Sequence, residues 1–246
     1  MRIFVCISKA PDTTTKISFK DGDTQFNDEK VQWIINPYDE WYALVRALEI
    51  KEAQGGKVTV INVGGADSEP IIRKALAIGA DDGVRIDAEP TDTFNVASQI
   101  ANYLKGQEYD MVLLGKETIN YNGSVLGGML AELLDLPYVS LGVKLDIEGN
   151  TATIERDIEG GREVVEVATP FVASAQKGMA EARIPNMRGI MAARTKPVAV
   201  EAASEAATHT SVKSYQLPPA KSDVRLISPD NVGELADLLH NEAKVI

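Results

Sequence analysis

Four short segments, residues 3–8, 57–63, 83–86 and 110–115, constrain this chain most, because each reads as a strand and two of them, 3–8 and 110–115, are apolar along most of their length. A strand with one wet face alternates apolar and polar residues. Residues 3–7 and 111–114 do not alternate, so the strands they form have to be covered on both sides. The stretches between them carry helical spacing, as in Trp41, Ala43, Leu44, Ala47 and Leu48. Gly55-Gly56 ends that helix, and Gly79 sits where the next one should stop. Strands alternating with helices over about 140 residues predict an α/β fold, a doubly wound, mostly parallel sheet with helices on both faces.

The pattern then changes. Residues 143–147, 151–157 and 162–167 alternate and are separated by Glu148-Gly149-Asn150 and Glu159-Gly160-Gly161, which predicts an antiparallel meander. Residues 170–174 read as one more buried strand. Nearer the start, Asp21-Gly22-Asp23 predicts a small hairpin, and Asn36-Pro37 predicts a helix start with asparagine as N-cap. Residues 176–197 are interrupted by Gly and Pro and hold Met179, Met187 and Met191, which fit either core gaps or an exposed contact. Residues 199–214, rich in Ala, Thr, Ser and Glu, read as a linker. Residues 231–243 read as a short helix with Leu235, Leu238 and Leu239 on one face. The expected organisation is a compact domain over residues 1–199, including the 176–197 segment, and an extended C-terminal arm over 200–246.

Composition narrows the chemistry. With two histidines and one cysteine, neither a zinc nor an iron–sulfur site nor a Ser-His-Asp machine is expected, and no residue is assigned as catalytic or metal-binding. The cysteine, Cys6, reads as part of a buried strand. A net charge of −11 argues against a nucleic-acid partner. No apolar run approaches the roughly 18 residues of a membrane span, so no membrane insertion is expected. The apolar start is too short for a signal peptide, which makes the cytoplasm the expected location. Against this acidic background, residues 176–197 carry Lys177, Arg183, Arg188, Arg194 and Lys196 beside a single acid, Glu181. Such a cluster fits either an anion or partner contact or a solvated loop.

Residues 111–134 carry the clearest binding signal. The strand at 111–114 feeds a loop with Asn120, Asn122, Gly123 and Ser124, and an apolar-periodic segment then runs to Leu134. A Gly/Ser/Asn loop opening a helix offers unpaired N–H groups at the positive end of the helix dipole, which suits a phosphate. In a doubly wound sheet this loop meets those after residues 3–8 and 57–63 at the switch point. No dinucleotide fingerprint is present, and Gly115-Lys116 is only a fragment of a P-loop. Gly64-Gly65 fits either a phosphate turn or a plain tight turn.

Several stretches, in order along the chain, resemble the electron transfer flavoprotein β subunit. They are Asn36-Pro37-Tyr38-Asp39-Glu40, Ile72 to Asp81 (Ile-Arg-Lys-Ala-Leu-Ala-Ile-Gly-Ala-Asp), Val112-Leu-Leu-Gly-Lys116, Ile154 to Gly161, Ala182-Arg183-Ile184-Pro185-Asn186 and Leu217-Pro218-Pro219. The loop Asn120-Tyr121-Asn122-Gly123-Ser124-Val125-Leu126-Gly127-Gly128 departs from the family. It matches neither the Cys-Asn-Gln-Thr-Gly run of the common branch nor the Asp-Gly-Asp-Thr-Ala-Gln-Val-Gly-Pro run of the electron-bifurcating branch.

The resemblance implies one half of a heterodimeric electron carrier that turns over no organic substrate itself. A redox-active FAD would lie mainly on an α subunit and be shared with this chain, which would itself hold AMP, or a second FAD in the bifurcating branch. By similarity the nucleotide site comprises Cys6, Asn36, Pro37, Tyr38, Asp39 and Val63, with Gly115, Lys116, Ile119, Asn120, Tyr121, Asn122, Gly123, Ser124, Val125 and Leu126. The docking segment would present Arg183, Met187, Ile190 and Met191 to acyl-CoA dehydrogenase-type flavoproteins, with Met187 as apolar anchor. The arm would wrap the α subunit. A stand-alone adenine-nucleotide-binding regulator, similar to universal stress proteins, is the alternative from another class.

Overall fold

The structure is a computed structural model that describes residues 1–221 and 223–246. It forms two compact units, one of residues 1–17 and 27–213, the other of residues 18–26 and 214–246. In chain order the elements are β1 (Arg2–Cys6), β2 (Lys9–Pro11), β3 (Phe19–Lys20), β4 (Gln25–Phe26), β5 (Trp33–Ile35), α1 (Asp39–Gln54), β6 (Lys57–Val63), α2 (Glu69–Ile78), β7 (Asp82–Asp87), α3 (Thr93–Leu104), β8 (Met111–Gly115), α4 (Leu126–Leu134), β9 (Tyr138–Glu148), β10 (Thr151–Ile158), β11 (Gly161–Ala168), β12 (Phe171–Ala175), α5 (Met187–Ala193), β13 (Val198–Ala202) and α6 (Val232–Asp237). Among the described residues, no helix is long and apolar enough to cross a membrane.

In the first unit the described residues build a nine-stranded sheet in the order β11-β10-β9-β12-β8-β1-β6-β7-β13. The strands from β9 through β12 to β13 run parallel to their neighbours, and β9, β10 and β11 form the antiparallel meander. The expected doubly wound architecture is present. The apolar strands are covered twice, as their composition demanded. Ile3, Val5, Met111 and Leu113 pack with α1 and α2, whereas Phe4, Cys6, Val112 and Leu114 pack with α3 and α4. From β1 the chain steps outward to β6 and β7, then returns to place β8 on the other side of β1. The strand order therefore reverses between β1 and β8, where the helix-bearing loops splay apart and leave a crevice.

Three local expectations need correction. Asn36 does not cap α1; the helix starts at Asp39, preceded by Tyr38 at φ 67° and ψ −104°. Residues 199–202 are not linker but part of β13, which extends the parallel sheet at its β7 edge. The irregular 176–197 segment contains a helix of about two turns, α5, capped by Asn186, whose Oδ1 accepts the Gly189 N–H at 2.8 Å.

The chain after β13 is fastened along α3. Gln99 receives the Ser204 N–H at 2.8 Å and donates to the Ser204 carbonyl at 2.8 Å, and Asn95 donates to the Ala206 carbonyl. Asp92, the α3 N-cap, accepts the Asn95 N–H as well as the His209 and Thr210 N–H groups. These hydrogen bonds hold its carboxyl down at about 2, so the tie exists across the neutral range and is lost only as pH falls towards that value. Replacing Asp92 with alanine is expected to free residues 205–213 for proteolysis and speed their amide exchange, leaving the sheet amides protected. Unchanged exchange in that segment would sink the idea.

In the second unit β3 and β4 pair antiparallel, Phe19 stacks on Tyr215 with ring centroids 4.7 Å apart, and the Tyr215 N–H donates to the Asp23 carbonyl. The expected hairpin is thus present, and its partner is the C-terminal segment. Leu238 and Leu239 are half-buried there, whereas Leu235 is exposed.

Candidate functional site at the strand-order reversal

The loops at the carboxyl ends of β1 and β8 are joined by two buried polar residues. Asn36, fully buried, accepts the Ile119 N–H at 2.9 Å and donates to the Glu117 carbonyl at 3.2 Å, while its own N–H donates to Ser8. It therefore braces the loop after β8 rather than a helix end. Glu40 accepts the Ser8 N–H and the Ser8 hydroxyl, each at 2.7 Å. Gly115 closes the third side. A Cβ there would lie 2.7 Å from the Glu40 nitrogen and 3.0 Å from the Asp39 Cβ, so only glycine lets α1 begin directly on the end of β8.

Above this floor lies a cleft of about 250 Å³, lined by Pro37, Tyr38, Asp39, Tyr42, Lys116, Glu117, Ile119, Asn122 and Lys177. Six of these are site residues named from the sequence, and Glu117 lies within the expected loop 115–126 without being singled out; Tyr42 and Lys177 were not expected. Lys177 was legible only as part of a basic cluster. Tyr42 carried no signal of its own, because a helix-face tyrosine is an ordinary surface residue, and Glu117 was marked only by its place in the loop. Tyr38 is held in a backbone region that bulky residues rarely adopt and is more than half exposed at the cleft mouth. Such strain persists only where the surroundings fix it.

The loop beyond Glu117 is wound tightly. The Asn122 N–H donates to the Thr118 carbonyl, Ser124 Oγ donates to Glu117, and both Asn122 and Ser124 lie in the left-handed region. It delivers the chain to α4, whose first turn has no side-chain cap. The N–H groups of Leu126, Gly127 and Gly128 are left without intrahelical partners. Gly127 is required for another reason as well, since a Cβ would come within 2.6 Å of the Tyr138 ring. Gly123 has open space around it, and Asn120, Tyr121 and Val125 are exposed.

Cys6 and Val63 behave differently from the rest of the expected set. Their side chains belong to the core on the α3 and α4 side, and burial, with Glu40 nearby, pushes the Cys6 thiol well up. What they can offer a ligand is backbone at the strand ends. Gly64 is explained by packing, because a Cβ would strike Ser68 Oγ at 2.4 Å. Asp39 is raised to about 6, chiefly by burial, with Lys116 opposing and Glu117 adding to the shift.

The donor set suits an adenine nucleotide. An uncapped helix start with small residues can take a phosphate, two lysines supply countercharge, and Tyr38, Tyr42 and Ile119 give the cleft apolar walls. Among the described residues no group of acids, histidines and cysteines could hold a metal.

The basic, methionine-rich segment divides on folding. Met179 is buried, with its Cε close over Gly142. Met187 is 72% exposed, and Met191 and Ile190 are exposed with it. Gly189 and Ala193 face α2 instead, and Arg73 on α2 donates to the Ala193 and Lys196 carbonyls. Arg183 is engaged by Glu52 through two contacts, at 2.6 and 3.0 Å, and Lys196 caps the end of α2 through the Leu76 and Ala80 carbonyls. Two of the five cations are thus structural. The exposed group is an apolar one with Arg188 and Arg194 beside it.

Residues 23–206 match the family model described as electron transfer flavoprotein domain. The chain belongs to the electron transfer flavoprotein family. Over its whole length it is 36% identical to the electron transfer flavoprotein subunit beta of Bacillus subtilis, all of which is covered. It is also 36% identical to the protein of that name from Syntrophomonas wolfei, with 100% of this chain and 98% of the relative aligned. The caffeyl-CoA reductase-Etf complex subunit CarD of Acetobacterium woodii is 32% identical over 99% of this chain and 98% of that one. Within the family the chain takes the place of the β subunit, an electron-carrier component that works with flavin. The stand-alone regulator gives way to this reading.

Proposed function

We propose that this chain pairs with an α subunit carrying FAD, and that its own cleft between β1 and β8 holds AMP. The observation that carries the AMP reading is the conjunction of an uncapped α4 start with a cleft bearing Lys116 and Lys177. The α4 N–H groups and Ser124 would hold the phosphate, Asn36 would keep the loop in register, and Tyr38, Tyr42 and Ile119 would flank the base. FAD, when bound in the pair, supplies reversible electron acceptance; this chain supplies shape and a covering surface. The α5 face, with Met187, Ile190 and Met191, would dock acyl-CoA dehydrogenase-type flavoproteins, and residues 214–246, the part of the expected arm that lies outside the sheet-bearing unit, would embrace the α subunit. The cytoplasm suits such a carrier.

Denaturing the purified complex and counting what is released tests the reading. One FAD and one AMP per complex is the expected result. Two FAD and no AMP would move a second flavin into the β site, and a complex without flavin would sink the proposal.

A further inference from the structure

Glu40 is 5% exposed, yet it belongs to no ligand-contacting set and pairs with no cation among the described residues. Its two carboxyl oxygens are held by one residue, Ser8, at the end of β1. Its backbone lies against Gly115 at the end of β8, and its neighbour Asp39 lines the cleft. Glu40 thus ties the helix start to the end of β1 through its carboxyl and lies against the end of β8 through its backbone.

Ser8 is suited to hold that carboxyl in either charge state. When Glu40 is ionised, the Ser8 hydroxyl and N–H both donate to it. When Glu40 is protonated, the carboxyl O–H donates to Ser8 Oγ and the N–H still donates to the other oxygen, so a hydroxyl rotation is the only change. The geometry survives titration and the charge does not. We propose that Glu40 is a positioning residue that carries a proton beneath the nucleotide cleft, and that nucleotide binding and ionisation of Glu40 oppose each other. A negative charge under the floor would repel a bound phosphate through a poorly solvated wall.

Burial raises the Glu40 carboxyl to about 8, with Ser8 lowering it and Asp39 adding to the rise. The other titratable groups facing this corner are Asp39 on α1, Cys6 on β1, and Lys116 and Glu117 after β8. Asp39, at about 6, has titrated by pH 7, and the Cys6 thiol stays protonated well beyond neutrality. The second ionisation of the AMP phosphate is likewise centred near pH 6 and is nearly complete by pH 7. Between pH 7 and 9 the acid that changes state in this corner is Glu40.

This inference rests on AMP occupying the cleft, so the test separates the two. AMP is titrated calorimetrically into the nucleotide-depleted complex from pH 7 to 9, in buffers of different ionisation enthalpy, for wild type and Glu40→Gln. Glutamine reproduces the neutral carboxyl, accepting the Ser8 N–H and donating to its hydroxyl. Wild type should take up protons on binding near pH 8 and lose affinity on the order of fivefold by pH 9. Glu40→Gln should show neither change. Equal proton uptake in both proteins, or none in either, overturns the proposal. Infrared difference spectra report the proton without AMP: wild type should lose a protonated-carboxyl stretch between pH 7 and 9 that Glu40→Gln lacks. If that band behaves as expected but AMP binds neither protein, the AMP reading and the coupling fail while the buried proton stands. If the band is missing, Glu40 is misassigned whatever AMP does.

Discussion

Replacing Gly115 with alanine is expected to destabilise the protein by about 2 kcal/mol and to abolish AMP binding. The added carbon would sit 2.7 Å from the Glu40 nitrogen and 2.9 Å from its Cγ. The first of these belongs to the backbone of α1, so no side-chain rotation relieves it. The helix start has to lift from the end of β8, taking Asp39 away from Lys116 and loosening Glu40 from Ser8. For a chain of this size the loss corresponds to a fall in Tm of about 4–8 °C. Gly123→Ala is the control, because the nearest atom to its added carbon would be a Val125 methyl at 3.9 Å and the strand ends are untouched. Calorimetric unfolding and AMP titration on the same preparations check both effects. A Gly115→Ala protein with unchanged Tm would mean that the α1 start does not rest on β8.

Gly189→Ala should have the second large effect, and on docking more than on the fold. Its Cβ would meet the Ala77 carbonyl at 2.2 Å, so α5 would have to leave its seat on α2. Met187, Ile190 and Met191 would leave with it. Electron transfer from an acyl-CoA dehydrogenase, followed by stopped-flow absorbance, is expected to slow at least about tenfold, the equivalent of about 1.4 kcal/mol of docking energy. Met187→Glu reaches the same result by another route. That side chain is 72% exposed, so folding should change by less than about 0.5 kcal/mol while a charge enters the contact. If Gly189→Ala lowers Tm but neither variant slows transfer, α5 is not the docking element.

The value of glycine at these positions was only half visible in the sequence. Gly123 and Gly127 read as part of a phosphate loop, and Gly115 as the end of a strand and a fragment of a P-loop. Folding shows that Gly115 admits α1 and Gly127 admits the Tyr138 ring, and of the three only Gly123 has room for a side-chain carbon. Asn36 has a similar history. Followed by proline, it has the composition of a helix N-cap, but tertiary structure gives both its amide atoms to the loop after β8. Local propensity cannot foresee a partner more than 80 positions away.

The sequence by itself determined the layered sheet, because runs apolar at every position, such as residues 3–7 and 111–114, have no stable place except between two helical layers. It also marked the loop after residue 115, because unpaired helix-start N–H groups beside small residues have few other uses. Only the tertiary structure decided which strand ends meet and which residues reach the cleft. Tyr42, Glu117 and Lys177 come from an element face, a loop and a distant segment, and the reversal of strand order beside β1 is what brings them together. The same holds for the 176–197 segment. Its methionines are chemically alike, and packing against α2 and β9 set Met179 inside and Met187 outside, since burial depends on what lies opposite each side chain in space.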